Sequence, residues 1–208
     1  MKKQYKTPQE EFWAGDFGDD YINRNEGDKL LASNLNFFNN ACKLTNNLKS
    51  VIEFGANIGM NLKAFKLLFP TINIEGVEIN KKAHEQLSIN IGHDNAHLSS
   101  IFDFDSKNKF DLTLIKGVLI HINPNELEKV YQKLYDLSNN YILICEYYNP
   151  SPVAISYRGH KDRLFKRDFA GEFLDKFKNT KLIDYGFSYH RDVKFPQDDI
   201  TWFLISKS

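Results

Sequence analysis

Short apolar runs alternate along the chain with segments in which apolar residues recur every three or four positions. The short runs are typical of buried strands and cover 51–54, 74–78, 98–103, 110–116, 141–146, 182–188 and 200–206. The periodic segments predict helices over 29–48, 62–68, 83–91, 127–137 and 169–177. Strands that alternate with helices predict a doubly wound, Rossmann-like α/β fold. Its sheet should be mostly parallel with a C-terminal antiparallel strand, and helices should cover both faces.

The chain has 208 residues, which suits one domain over 1–208, and no repeat or linker divides it. Residues 1–8 are polar and are expected to be loose. The N-terminal arm, 1–28, is irregular and rich in aromatic residues, so it either packs on the domain or closes a site as a lid. Polar residues beside the aromatic ones favour the lid. A second segment, 147–168, is predicted to be an insertion that binds substrate.

Lysine plus arginine and aspartate plus glutamate number 27 each, so the formal net charge is zero. Such a chain has no overall field that would attract nucleic acid or an anionic membrane. Cys42 and Cys145 lie far apart and in no metal-ligand spacing, so we expect neither a disulfide framework nor a metal site. The chain shows no leader and no long apolar span. We therefore expect a cytoplasmic protein with no nucleic-acid or membrane partner.

The turn after the first strand contains two glycines four residues apart, Gly55 and Gly59. Gly55 lets the backbone turn sharply and approach a ligand. Gly59 lets the start of the next helix, with its free N–H groups, approach the same ligand. The spacing fits neither a dinucleotide-binding loop nor a phosphate-binding loop. Glu53 precedes the turn, and Glu78 ends the next strand, where such folds hold the hydroxyls of a ribose.

The fourth and fifth strands end at the carboxyl edge of the sheet, where ligands bind in open α/β folds. His121 follows the fourth strand. It is either a general base with a pKa near neutrality or a side chain that orients the turn through the backbone. Glu146, Tyr147 and Tyr148 follow the fifth strand and point toward the cleft by topology. The candidate catalytic residues are His121, Glu146 and Tyr147.

Four basic residues gather just after the fifth strand: Arg158, His160, Lys161 and Arg163. They form either a solvated surface or an anion-binding loop. The second interpretation is favoured because the chain as a whole is neutral and because topology places this segment at the carboxyl edge. Arginine forks suit carboxylate or phosphate groups.

The pattern Glu53-x-Gly55-x-Asn57-x-Gly59, followed by Glu78, resembles two motifs of class I S-adenosylmethionine-dependent methyltransferases. The resemblance implies that S-adenosyl-L-methionine is the cofactor, that the loop cradles its amino-acid end and that Glu78 binds its ribose. It also implies that Phe102 and Asp103 contact the adenine, with Asp105 as the competing register. The residues expected to bind the cofactor are Glu53, Gly55, Ala56, Asn57, Gly59, Asn61, Glu78, Ile79, Phe102, Asp103, Lys116 and Gly117.

Three longer pieces, 11–18, 51–61 and 157–172, resemble a small bacterial group, the methylases associated with pseudaminic acid biosynthesis. This resemblance implies methyl transfer to an acidic nonulosonate sugar or its nucleotide-activated form. The residues expected to bind that substrate are Trp13, Tyr21, Arg24, Tyr148, Arg158, His160 and Arg163. Two alternatives are a non-catalytic cofactor-binding module and a nucleotide-dependent oxidoreductase. The spacing of the glycine loop argues against the oxidoreductase.

Overall fold

A computed structural model describes residues 5–22 and 27–207 of the chain. Its strands are β1 (Ser50–Phe54), β2 (Asn73–Glu78), β3 (Ala96–Leu98), β4 (Phe110–Lys116), β5 (Ser138–Glu146), β6 (Val153–Tyr157), β7 (His160–Lys166), β8 (Thr180–Phe187) and β9 (Thr201–Lys207). Its α-helices are α1 (Pro8–Ala14), α2 (Asp16–Tyr21), α3 (Asp28–Ala41), α4 (Met60–Leu68), α5 (Lys81–Ile91), α6 (Leu127–Leu137) and α7 (Phe169–Lys176).

Seven strands form the main sheet in the order β3-β2-β1-β4-β5-β9-β8. The five strands from β3 to β5 pair in parallel. Strand β9 runs antiparallel to both of its neighbours, β5 and β8. Strand order reverses between β1 and β4, which opens a crevice at the carboxyl edge of the sheet. The predicted fold class, a mostly parallel sheet with a C-terminal antiparallel strand, is confirmed.

Helices cover both faces of the sheet, as predicted from the apolar stripes. On one face, Val130 of α6 and Phe173 of α7 pack with Ile115 and Ile144. On the other face, the apolar sides of α3, α4 and α5 pack against alternate residues of the same strands. Within the described residues, no helix has an apolar stretch of the length that a lipid bilayer requires.

The arm and the third strand differ from the sequence prediction. Residues 8–14 and 16–21 are helical, and Thr7 and Glu10 form a capping box at the start of α1. The Thr7 hydroxyl accepts from Glu10 N at 3.2 Å, and the Glu10 carboxylate accepts from Thr7 N at 3.0 Å. The third strand ends at Leu98, so the apolar residues that follow it belong to a turn.

Two further segments differ from the prediction. The helix predicted over 29–48 ends at Ala41. The predicted loop around 157–163 is a β-hairpin, in which β6 pairs with β7. Below, the hairpin means residues 153–166. The arm now means residues 5–22, which are part of the predicted arm 1–28.

Gly59 was expected to approach a ligand, but it faces a neighbouring helix. Its φ is +86°, and a Cβ at this position would come within 2.7 Å of Leu87 Cδ1 and 3.3 Å of Ile91 Cγ2. The missing side chain therefore lets α4 begin directly against α5.

We predict that Gly59→Ala destabilises the fold more than Gly159→Ala. Gly159 lies in the two-residue turn of the hairpin with a similar φ of +85°, and a Cβ there would meet no atom within 4 Å. The positive φ costs about 1 kcal/mol for alanine at either position. Overpacking against Leu87 adds about 1–3 kcal/mol at Gly59 alone. Urea unfolding measures both, and equal losses would show that α4 and α5 are not in close contact here.

Candidate active site

A cleft lies along the carboxyl ends of β3, β2, β1 and β4. Its floor is built from the loops that follow these strands, and the arm forms its roof. The floor includes Gly55, Ala56, Asn57, Asn61, Glu78 and Ile79. Lys116 and Gly117 continue it after β4. The arm contributes Gln9, Glu10, Trp13 and Tyr21.

The turn after β1 is held in place by β2. Gly55 N and Ala56 N donate to Val77 O at 2.9 and 3.1 Å. Gly55 and Asn57 have φ of +73° and +49°, in the left-handed region. The amide oxygen of Asn57 is buried and has no hydrogen-bond partner among the described residues. The turn therefore offers the cleft a fixed backbone and one unused acceptor.

Glu78 lies at the centre of the floor. One carboxylate oxygen accepts from Asn57 N at 2.8 Å, and the other accepts from Asn80 N at 2.7 Å. Burial raises the pKa of this carboxyl, although the backbone N–H groups oppose that shift. The N–H group of Ile79 bonds the carboxylate as well. The acceptor capacity that remains on the two oxygens can serve donors in the cleft, such as the hydroxyls of a vicinal diol.

Glu53 is fully buried beneath the turn. Its Oε1 accepts from Asn61 Nδ2 at 2.6 Å, whereas Oε2 has no partner in the described part of the chain. Burial raises the pKa of Glu53 to about 8, against the opposing effects of Asn61 and Lys116. Glu53 therefore supports the cleft from below and is protonated at neutral pH, with the proton on Oε2, the oxygen that accepts no hydrogen bond.

At the end of β3, the residues that line the cleft are Ser99, Ser100 and Ile101. Phe102 and Asp103, which were expected there, lie elsewhere. Phe102 packs against the core, and Asp103 is exposed and pairs with Lys6 at 2.5 Å. Asp105 is exposed as well. The reason is the early end of β3, which moves the segment facing the cleft toward the N-terminus.

After β4, Lys116 and Gly117 line the cleft as expected. Gly117 has a φ of +67°, and a Cβ here would meet no atom within 4 Å. His121 is buried in the following 3₁₀ turn, and its Nδ1 lies 2.5 Å from Arg163 O. A carbonyl oxygen only accepts, so Nδ1 carries the proton and Nε2 keeps a lone pair. Burial lowers the pKa of His121 to about 4, which keeps the ring neutral.

Glu146 does not line the cleft, contrary to expectation. Its carboxylate accepts from Val118 N at 2.9 Å and Leu119 N at 2.8 Å. Burial raises the pKa of Glu146 to about 7, and the backbone N–H groups oppose that shift. The carboxylate therefore positions the turn that carries His121, and its acceptors face away from the cleft.

The two tyrosines after Glu146 lie in different places. The Tyr147 hydroxyl hydrogen-bonds Asp198, which lines the cleft, and burial raises the pKa of Tyr147. Tyr148 is 44% exposed, and its ring centroid lies 6.0 Å from that of Phe203 on the outer face of the sheet. Tyr147 therefore reaches the cleft only through Asp198.

Aromatic rings surround His121 at one end of the roof, which is called the acceptor end below. The Trp13 ring lies 4.6 Å from His121 and 5.2 Å from Tyr21, centroid to centroid. The Tyr157 ring of the hairpin lies 5.0 Å from His121. The structure thus brings Trp13 and Tyr21 to the cleft, as expected. Arg24 lies outside the described residues.

The basic residues of the hairpin lie against the outer side of the arm. The Arg163 guanidinium lies 5.2 Å from the Phe12 ring centroid, and the His160 ring lies 5.0 Å from it. Arg158 is exposed at the hairpin turn with a φ of +50°. Lys161 is exposed beside them. These side chains surround the roof from outside.

Polar contacts fasten the arm on both sides of the cleft. Gln9 Nε2 donates to Asp162 O of the hairpin at 3.1 Å. On the opposite side, Asp19 accepts from Asn80 Nδ2 at 2.8 Å and pairs with Lys82 at 2.6 Å. Sequence reasoning missed these anchors, as it missed Glu10, Ser100 and Asp198. The Thr-x-x-Glu spacing of the capping box was the one signal that could have indicated an ordered arm.

No group of three or more potential metal-ligating side chains is arranged to hold a metal ion within residues 5–22 and 27–207. No protein-family model and no curated protein sequence matches the chain.

Solved structures share the fold. The 1,6-didemethyltoxoflavin-N1-methyltransferase of Burkholderia thailandensis, with bound 1,6-didemethyltoxoflavin and S-adenosylhomocysteine, is 13% identical at a TM-score of 0.72. That comparison covers 100% of this chain and 93% of the other. Magnesium protoporphyrin IX methyltransferase (ChlM) of Synechocystis PCC 6803, with bound S-adenosylhomocysteine, is 13% identical at 0.69, over 98% and 100%.

The mitomycin 7-O-methyltransferase MmcR is 12% identical at a TM-score of 0.67. The comparison covers 97% of this chain but only 61% of MmcR, so this chain spans about three fifths of that protein. At such identities the likeness establishes the fold alone. The shared fold is that of S-adenosylmethionine-dependent methyltransferases.

We predict that Glu53 makes the fold less stable as pH rises. The native carboxyl has a pKa of about 8 and the unfolded one about 4.3, so the native state binds more protons between these values. Glu53 alone should therefore lower the free energy of unfolding from pH 5 to pH 8.5 by about 1.4 kcal/mol per pH unit at most, and Glu146, whose pKa is raised to about 7, adds to the fall at the lower end of this range. Glu53→Gln, which cannot ionise, should remove much of this fall.

Urea unfolding at several pH values measures the effect, with Glu85→Gln as control. Glu85 is an exposed acid on α5. Parallel curves for the wild type and Glu53→Gln would show that Glu53 is already ionised in the native state.

Proposed function

We propose that this protein transfers a methyl group from S-adenosyl-L-methionine to a small-molecule acceptor. The observation that carries the proposal is the buried Glu78 carboxylate that lines the cleft, held by the N–H groups of Asn57 and Asn80 and with acceptor capacity left for a ligand. It stands between the left-handed turn after β1 and the end of β3. The cofactor is a nucleoside joined to an amino acid, so its ribose must lie between the site for its base and the site for its amino-acid end.

The chemistry of the cleft fits the cofactor. The Glu78 carboxylate matches the two ribose hydroxyls. The unused amide oxygen of Asn57 is an acceptor for the amino-acid end. Gly117 leaves open space where a side chain would otherwise project. Ile79 and Ile101 line the cleft with apolar surface on either side of the nucleoside end.

The cofactor supplies an electrophilic methyl group on a sulfonium. The protein's task is to align the acceptor in line with the methyl–sulfur bond and to exclude water. Such positioning can lower a barrier by roughly 7–11 kcal/mol. The arm does this from above, since Trp13 and Tyr21 line the cleft beside His121.

For a hydroxyl acceptor, His121 is the candidate for proton removal. The Arg163 carbonyl fixes the proton on Nδ1, and burial keeps the ring neutral, so Nε2 can accept at physiological pH. Glu146 acts through this residue, because it holds the turn that carries the ring. It is a positioning residue in this proposal, and Tyr147 positions Asp198.

An acidic nonulosonate sugar, or its nucleotide-activated form, is the narrower acceptor that the sequence resemblance implies. One observation supports an anionic group beside the roof, outside the cleft: Arg163 Nε is buried without a hydrogen-bond partner among the described residues. Arg158 and Lys161 are exposed on the same hairpin. The enzymes of the compared structures are named for substrates of other kinds, so the sugar rests on the sequence resemblance and this observation.

Binding of S-adenosylhomocysteine tests the proposed cofactor. Glu78→Ala should weaken it by about 1–3 kcal/mol, or 5- to 150-fold in Kd, because two ribose hydroxyls would lose their acceptor. Glu75→Ala, on the same strand but paired with His97 at 2.8 Å, should leave the affinity unchanged. Isothermal titration calorimetry measures both. Wild-type protein that is folded and binds neither S-adenosylmethionine nor its product would overturn the proposal.

Acceptor recognition is tested with the double variant Arg158→Ala/Arg163→Ala. For an acidic acceptor, we expect a higher KM, a weaker salt dependence of KM and nearly unchanged cofactor affinity. Products of reactions with candidate sugar nucleotides are identified by mass. Arg191→Ala, an exposed arginine before β9, is the control. Unchanged kinetics in the double variant would return the hairpin arginines to ordinary surface residues.

A further inference from the structure

One end of the cleft carries a carboxylate that comes from the arm. Glu10 of α1 is 7% exposed and lines the cleft on the side of Ser99 and Ser100. Glu10, Glu78 and Asp198 are the acids that line the cleft within the described ranges. Asp103 is the acid that the sequence resemblance places at this end of the cleft, but it is exposed and forms an ion pair with Lys6.

The hydrogen bonds of Glu10 leave one acceptor position open. Its Oε2 accepts from Lys6 N at 2.8 Å and from Thr7 N at 3.0 Å. Its Oε1 accepts from the Ser100 hydroxyl. A carboxylate oxygen accepts about two hydrogen bonds, so Oε1 has room for one more donor. The capping box and Ser100 together hold this oxygen at the wall of the cleft.

The position of Glu10 follows from the order of the strands. Strand β3 is the neighbour of β2, and Ser99 N donates to Glu78 O at 3.0 Å. Neighbouring strands lie about 4.8 Å apart, so the space beside Ser99 and Ser100 adjoins the ribose site at Glu78. A base joined to a ribose on Glu78 would lie in this part of the cleft, and Ile79 and Ile101 give the cleft apolar lining.

We infer that Glu10 accepts a hydrogen bond from the exocyclic amine of the cofactor's adenine, so that the arm completes the nucleoside site. This inference rests on the proposed function, since it assumes that the nucleoside of the cofactor lies on Glu78. An exocyclic amine is a donor that needs an acceptor in a buried site. The open position on Glu10 Oε1 supplies it.

The arm couples the two ends of the cleft. The helices that carry Glu10 also carry Trp13 and Tyr21, which line the acceptor end. A nucleoside bound to Glu10 holds the arm down and thereby completes the roof over the acceptor. Binding at the nucleoside end and binding at the acceptor end are therefore coupled through the arm.

A pair of ligands tests the role of Glu10. S-adenosylhomocysteine has the exocyclic amine, whereas S-inosylhomocysteine has a carbonyl oxygen in its place and a proton on the adjacent ring nitrogen. We expect the wild type to bind the adenosyl ligand at least about 10-fold more tightly. In Glu10→Ala this preference should shrink to about 3-fold or less, because the acceptor that separates the two ligands is gone. Calorimetry measures both affinities.

Two controls separate ligand recognition from a structural role. Thr7→Ala removes the other half of the capping box but keeps the carboxylate, so it should keep the preference. Asp103→Ala removes the surface acid and should keep it too. If Glu10→Ala does not fold, Glu10→Gln serves instead. Its amide can donate to the oxygen of the inosyl ligand, so the preference should narrow there as well.

The outcomes separate this inference from the proposed function. Wild-type protein that binds S-adenosylhomocysteine with no preference overturns the inference alone. So do a folded Glu10→Ala that keeps the full preference and, where Glu10→Ala does not fold, a Glu10→Gln that keeps it. Folded wild-type protein that binds neither ligand overturns the proposed function, and the inference with it.

Discussion

The carboxylate of Glu78 joins the parts on which the cleft depends. It accepts from Asn57 N in the turn after β1 and from Asn80 N at the start of α5. Asn80 in turn caps α5 through Ala83 N and holds Asp19 of the arm. One buried acid thus sets the positions of a loop, a helix and the roof. Buried carboxylates with fixed N–H donors are rigid, because each lost bond would leave an unpaired polar group.

A second buried carboxylate, Glu146, does the same for the acceptor end. It holds Val118 N and Leu119 N, so the 3₁₀ turn with His121 has a fixed position. The hairpin then fixes the ring itself through Arg163 O. The acceptor end is therefore built from three separate segments: the turn, the hairpin and the arm. Substitutions in the hairpin and the arm could therefore change which methyl acceptor binds without disturbing the sheet.

The sequence predicted well what depends on local patterns. Strand β4 has the predicted bounds, and the glycine turn and Glu78 lie where the spacing put them. It failed where tertiary contacts decide. Strand β3 has only three residues, and the apolar run after it turns into the core. The arm's short helices need partners such as Asn80 and Ser100, which no local pattern reveals. A sequence cannot show that the Glu146 carboxylate faces the N–H groups of Val118 and Leu119.

The arm precedes in the chain every strand that it covers. Its bond from Gln9 to Asp162 spans 153 residues, and the one between Glu10 and Ser100 spans 90. Contacts so distant in sequence form late, because long loops must close before they are made. We expect the sheet to fold first and the arm to dock afterwards. We expect the last part to dock to be the first to detach in the native state, which would open the cleft while the sheet stays folded.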